Sequence, residues 1–280
     1  MKNPLAIICL LAAMVCQGCT WMFFSPGRDF LTAPEVMALM PKDVYFRSPD
    51  GLRLHGWHFR HRGGIRRGVV LVCHGNKENL STHVKLDLWL VSEGYDLFIF
   101  DYRGYGRSEG KTTVEGIHMD ATAALTTLLD MPGNSKERVI VLGKSLGGAV
   151  CVHTVAASPH KDRIRTLVIE GAFADYRIMA RQEIEKTPTG WVVKYPLSLL
   201  VNNHYSPLEW IPKVPPVPTL IMHGYEDPIV PVLHGRLLYG AALEPKKYWE
   251  LEGLGHTESS FSADTRKRLL RYLGSVDEVR

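Results

Sequence analysis

Residues 139–150 read Val-Ile-Val-Leu-Gly-Lys-Ser-Leu-Gly-Gly-Ala-Val. Four apolar residues, three of them β-branched, lead into Gly143-Lys144-Ser145-Leu146-Gly147, and a helical pattern runs on to about residue 157. The pentapeptide fits G-x-S-x-G, which alone is a weak pattern. A strand directly before it and a helix directly after it supply the tight turn that an exposed nucleophilic serine requires. The glycines let strand and helix approach closely while Ser145 is held in a strained conformation that lifts its hydroxyl above a sheet.

Outward from that turn, apolar runs without polar alternation recur at 68–73, 97–100, 167–169 and 219–222, as expected for strands buried on both faces. Helical patterns fall between them at about 82–92, 114–130, 146–157 and 231–241, with a last strand at 248–251 and a last helix at 258–273. Runs at 44–47 and 52–59 flank Pro49-Asp50-Gly51 and predict a hairpin, because proline presets φ and glycine accepts positive φ. Alternating strands and helices behind a hairpin predict an α/β fold: a mostly parallel sheet, entered antiparallel, with helices on both faces. The stretch 174–218 is too long for an ordinary connection and reads as a lid insertion. Its apolar cluster, Trp191 to Val201, is expected to line a pocket.

Two nucleotide-binding readings fail. Gly143-Lys144-Ser145 could close a phosphate loop, but the first glycine of that loop would fall at Arg138. Gly104-Tyr105-Gly106 places Glu109 where a dinucleotide fingerprint needs glycine.

A serine hydroxyl is a weak nucleophile and needs a base that is itself oriented by a carboxylate. Downstream of Ser145, the strand at 219–222 runs into His223-Gly224-Tyr225-Glu226-Asp227-Pro228, and the strand at 248–251 into Glu252-Gly253-Leu254-Gly255-His256. Asp227 and His256 therefore lie beyond strand carboxyl ends, as Ser145 does, and the three converge on the sheet edge where such folds place their sites. Glu226 is the alternative acid. Backbone amides of Leu146 and Asn76, the latter after strand 68–73, are placed to form an oxyanion hole. His74 reads as structural.

Asp101-Tyr102-Arg103-Gly104-Tyr105-Gly106-Arg107-Ser108, Gly143 to Gly148, 223–231 and Gly255-His256 together resemble the α/β-hydrolase superfamily of serine hydrolases, over about residues 43–275. Within it they are similar to the single-domain esterase and thioesterase-like branch that includes protein depalmitoylases. The resemblance implies Ser145 as nucleophile, Asp227 as acid and His256 as base, with no metal or cofactor. It implies cleavage of carboxylic esters or thioesters through an acyl-serine intermediate, on a small-molecule or acylated substrate. A serine peptidase of the same fold and a non-catalytic binding lipoprotein remain the alternatives.

The chain of 280 residues carries a net charge of +4 with basic and acidic residues intermixed, so nothing marks a nucleic-acid partner. At the N-terminus, Lys2 and an apolar run from Leu5 to Val15 precede Cys16-Gln17-Gly18-Cys19. The run is too short to span a bilayer and reads as a signal peptide, 1–18. Gly18-Cys19 resembles a bacterial lipobox, which predicts acylation of Cys19, a tether over 19–42, and an exported lipoprotein anchored in the cell envelope, with Thr20 favouring the outer membrane. A soluble secreted protein cleaved nearby is the alternative. Cys73 and Cys151 read as small core residues.

Overall fold

A computed structural model describes residues 23–31, 33–134, 137–188 and 190–276. Its centre is an eight-stranded sheet: β1 (Lys42–Arg47), β2 (Arg53–Phe59), β3 (Gly68–Cys73), β4 (Tyr95–Asp101), β5 (Val139–Lys144), β6 (Ile164–Glu170), β7 (Thr219–Gly224) and β8 (Lys246–Leu251). The spatial order is β1-β2-β4-β3-β5-β6-β7-β8. β1 and β2 form the expected hairpin, with Lys42 opposite His58 and Arg47 opposite Arg53, and β2 runs antiparallel to β4. All other pairings are parallel. The chain reverses direction across the sheet at β3, so the loops after β3 and β5 face one crevice.

Side-chain parity divides the core. Val69, Leu71 and Cys73 of β3 face one apolar layer with Val139 and Val141, while Val70 and Val72 face the other with Ile140 and Leu142. Helix α1 (Val114–Asp130), capped by the Thr113 hydroxyl accepting from Gly116 N, and α2 (Leu146–Ala156) cover the first layer. Helix α6 (Ala263–Ser275) covers the second through Leu269, Tyr272 and Leu273. Between β6 and β7 the long connection carries α3 (Tyr176–Glu185), α4 (Gly190–Ser198) and the short helix Pro207–Trp210, and α5 (Leu233–Ala241) follows β7.

Two helix expectations differ in detail. The pattern at 82–92 is broken into Leu80–His83, a tight turn at Val84–Leu86, and Trp89–Ser92. The cause is Asp87, a buried residue pulled out of helical geometry (φ −123°, ψ −5°) with its carboxylate turned toward Lys144. The last helix begins at Ala263 rather than 258, because the Ser262 hydroxyl caps it and Ser259 N is bound to the Glu170 carboxylate.

The signal reading and Cys19 lie outside the described residues. Of the 19–42 stretch expected as a tether, the part from Phe23 onward is laid against the domain. Phe23 is buried, Ser25–Pro26 pairs with Lys77–Glu78, Arg28 donates to the Ser108 carbonyl, and Val36 is fully buried. Cys73 and Cys151 are buried, unbridged thiols. Among the described residues no helix is long and apolar enough to cross a membrane.

Several histidines are held neutral by burial. His153, packed edge-on against Trp210 at 4.3 Å, is pushed down to about 4, as are His83 and His234, and burial also holds His118, stacked on Tyr205 at 4.4 Å, well below its ordinary value. A folded pKa below the unfolded value of about 6.5 means full stability above pH 6.5, lost as pH falls toward 4. The melting temperature is therefore expected to drop by on the order of 5 °C or more between pH 7 and pH 4.5, with a shallower slope in His153→Phe. A flat profile over that range in calorimetry would contradict this account of the cluster.

Candidate active site

Ser145 is the N-cap of α2 and adopts φ +54°, ψ −121°, outside the regions an L-residue ordinarily occupies. Its amide donates to the Glu170 carbonyl at 2.8 Å, and its carbonyl accepts from Gly148 and Ala149, so both ends of the strained residue are fixed. Gly147 is required there: a Cβ at that position would collide with the Cys73 carbonyl of β3. The turn thus holds α2 against the end of β3, where His74, Gly75 and Asn76 begin.

His256 and Asp227 arrive from the loops after β8 and β7. His256 Nδ1 and Asp227 Oδ2 are 2.7 Å apart, and Asp227 Oδ1 accepts from Ile229 N at 2.9 Å and Val230 N at 2.8 Å. Burial works to raise the Asp227 carboxyl, but the bonds from His256 and the two amides outweigh it and hold it below the usual carboxylate range. A carboxylate only accepts, so Nδ1 carries the proton and Nε2 of the neutral ring presents a lone pair. Gly171, at φ +60°, lies beneath the pair; a Cβ there would stand 3.4 Å from His256 Nδ1 and 3.5 Å from Asp227 Oδ2. Glu226 is exposed, whereas Asp227 is buried against the histidine.

One cavity of about 530 Å³ is lined by Ser145, His256, Leu146 and Asn76 together. Leu146 is the first residue of α2, and Asn76 is fixed through its carbonyl, which accepts from Ser25 N at 3.0 Å and the Tyr105 hydroxyl at 2.7 Å. His74 is buried, with Nδ1 2.7 Å from the Gly75 carbonyl and Nε2 3.5 Å from Asp101 Oδ1. The Asp101 carboxylate also accepts from Leu80 N, and Arg103 is clamped by Asp120 and Asp50, so both brace the surrounding loops.

The cavity wall differs from expectation. Phe23, Phe173, Met179, Glu183 and Lys186 line it, so the connection between β6 and β7 contributes through α3. Trp191, Val192, Tyr195, Leu197, Leu199 and Leu200 are exposed instead, and the pocket-lining role expected for that cluster passes to Met179 and its neighbours. Periodicity identifies an apolar face without saying what it faces.

A buried ionic group was not anticipated. Lys144 Nζ lies 2.6 Å from Glu170 Oε2 and 3.5 Å from Asp87 Oδ1, directly before the serine. Burial opposes the ammonium charge, but the two carboxylates raise Lys144 to about 12. Burial lifts Asp87 to about 6, while Lys144 and the Ser259 amide keep Glu170 below its usual range. Because Glu170 Oε1 also accepts from Ser259 N at 2.9 Å, the group ties the serine turn to the loop that carries His256. The signal available was a lone lysine at the end of an otherwise apolar strand, which demands a buried partner.

Comparison with known proteins agrees with this architecture. The family model Hydrolase_4, described as "Serine aminopeptidase, S33", matches residues 64–208. An uncharacterized protein of Mycobacterium tuberculosis is 32% identical over 256 residues, covering 89% of this chain and 86% of its own. The α/β hydrolase domain-containing protein WAV2 of Arabidopsis thaliana is 30% identical over 224 residues, covering 78% and 72%. Among solved structures, the Pyrococcus furiosus esterase Pf2001 superposes with a TM-score of 0.72 at 21% identity, covering 89% of this chain and 98% of its own. Sequence family and fold coincide: the chain belongs to the Hydrolase_4 family of α/β-hydrolases.

Proposed function

We propose that the protein is a serine hydrolase that cleaves carboxylic esters or thioesters through an acyl-Ser145 intermediate. The observation that carries this reading is the shared cavity: a strained serine at a strand-to-helix turn and a histidine whose far nitrogen is bound to a buried carboxylate. Ser145 Oγ attacks the substrate carbonyl carbon as its proton passes to His256 Nε2. The resulting oxyanion is received by the amides of Leu146 and Asn76. The tetrahedral intermediate collapses, and the alcohol or thiol leaves with the proton from His256. Water then gives a proton to the same nitrogen and attacks the acyl carbon, which frees the acid and restores the serine.

A panel of p-nitrophenyl esters and thioesters, run beside aminoacyl p-nitroanilides, tests the bond class. Turnover of the esters at least 100-fold above the anilides is expected; the reverse ratio would favour the peptidase reading, which the family description keeps in view. Met179, nearly buried on the cavity wall, is the residue to vary for acyl length. A buried methylene is worth about 0.8 kcal/mol, or roughly fourfold, so Met179→Ala should shift preference toward longer acyl chains by about that factor per methylene accommodated. An unchanged length profile would place the acyl chain elsewhere.

The reading extends to location. Gly18-Cys19 after a short apolar run supports cleavage before Cys19 and its acylation, which anchors stably when two chains are attached. Mass spectrometry of the mature N-terminus should find lipidated Cys19, and Cys19→Ser should abolish the modification. A mature soluble protein that begins elsewhere would refute the anchor and leave the hydrolase reading intact.

A further inference from the structure

The lid helix α4 is built inside out. Trp191 and Tyr195 on the helix and Leu199 in the turn directly after it recur at intervals of four, yet they are 70%, 60% and 61% exposed, with Val192 and Leu200 beside them. A helix of a soluble domain turns such a stripe toward the core. On the inner side Gly190 and Ser198 are buried and Val193 is half-buried, and the Ser198 hydroxyl accepts from Arg181 Nε at 2.9 Å. A contiguous exposed patch of large apolar residues marks a surface that is covered in use.

The N-terminus says what covers it. Phe23 lines the catalytic cavity and packs edge-on against Tyr176, the first residue of α3, with ring centroids 5.2 Å apart. Helix α4 in turn packs on α3. Only three residues separate Phe23 from Cys19, and an extended chain spans at most about 3.6 Å per residue, so the backbone between an acylated Cys19 and Phe23 can reach no farther than roughly 14 Å. An anchor that short holds the same side of the molecule against the bilayer. This step rests on the reading of Cys19 given above.

We infer that the α4 stripe is a docking surface for a lipid bilayer, which seats the mouth of the catalytic cavity on the membrane. The side chains enter the interface; of the flanking charges, Lys186 pairs with Glu183 and Lys194 with Glu185, each at 2.6 Å, and Arg181 is laid over the Tyr195 ring with its Nε bound to Ser198. Binding through the stripe is therefore apolar in origin and nearly independent of salt. The substrate consistent with this placement is an ester or thioester whose acyl chain is embedded in a membrane.

The test uses the mature protein in vesicles of phosphatidylethanolamine and phosphatidylglycerol, with and without phospholipid brominated along its acyl chains. The emission of Trp191, taken as the difference between wild type and Trp191→Phe, is expected to fall at least twofold with brominated lipid. Tyr195→Ser/Leu199→Ser is expected to lose at least tenfold in turnover of a long-chain ester carried in the vesicles while keeping soluble p-nitrophenyl acetate turnover within twofold. Unquenched Trp191 emission, or equal losses on both substrates, would overturn the docking surface. So would a dimer in detergent-free solution that the double variant dissolves, since the occupant would then be a second copy of the chain. Failure of the hydrolase reading is distinguishable, because wild type would then leave soluble acetate uncleaved whatever Trp191 reports. Failure of the anchor reading appears separately, as an unmodified Cys19.

Discussion

Ser145→Ala is expected to lower kcat on a p-nitrophenyl ester by about 10⁴-fold or more while the protein stays folded. The substitution removes one hydroxyl at a turn whose strain is held by backbone bonds, Ser145 N to the Glu170 carbonyl and Gly148 N to the Ser145 carbonyl, and alanine keeps both. The strained φ of +54° suits alanine no better than serine, so stability should change little. Near wild-type turnover in a folded Ser145→Ala protein would remove the serine from the mechanism. What residual rate survives measures the amides of Leu146 and Asn76 acting on solvent-driven hydrolysis.

Asp227→Asn should be comparably damaging, a loss on the order of 10⁴ in kcat, because it changes the histidine rather than the fold. An asparagine oxygen can still accept from Ile229 N and Val230 N, which fixes the amide nitrogen toward His256 Nδ1. That nitrogen only donates, so the ring must turn its lone pair toward residue 227 and carry its proton on Nε2, where no proton can be taken from Ser145. Glu226→Gln is expected to stay within twofold of wild type, since Glu226 is exposed and Asp227 holds the bond to the histidine. The opposite order of losses in kcat would transfer the acid role to Glu226.

The parallel part of the fold was legible because strands buried on both faces leave uninterrupted apolar runs. Gly68–Cys73 and Val114–Asp130 appear at the expected boundaries, and the hairpin declares itself through Pro49-Asp50-Gly51. Strand ends were less visible: β5 and β6 extend to Lys144 and Glu170, and charged residues inside a buried strand are interpretable only once they are seen to neutralise each other. The broken helix near 82–92 has the same origin, since Asp87 leaves helical geometry to reach that group. Chain order and strand ends place Ser145, Asp227 and His256 on one sheet edge, but the choice of Asp227 over Glu226 rests locally only on its position farther into the loop, ahead of Pro228. Their different burial is a property of the loop after β7.

The lid shows where periodicity stops. The apolar stripe of α4 was evident from the residues, and an apolar stripe is ordinarily a buried one. Its outward orientation depends on how α3 and α4 meet, with Met179 and Glu183 of α3 turned to the cavity and Gly190 set against α3. Under the proposed function that arrangement assigns acyl selection to α3 and contact with the surroundings to α4, and it predicts that their variants act on different observables.

The most direct test of the central claim is reaction of the purified protein with a fluorophosphonate, read by intact mass and peptide mapping. A single phosphonyl adduct on Ser145 is predicted, formed in parallel with loss of ester turnover, absent in Ser145→Ala and strongly slowed in Asp227→Asn. An adduct on another residue, or full ester turnover in protein that the reagent leaves unmodified, would contradict the account.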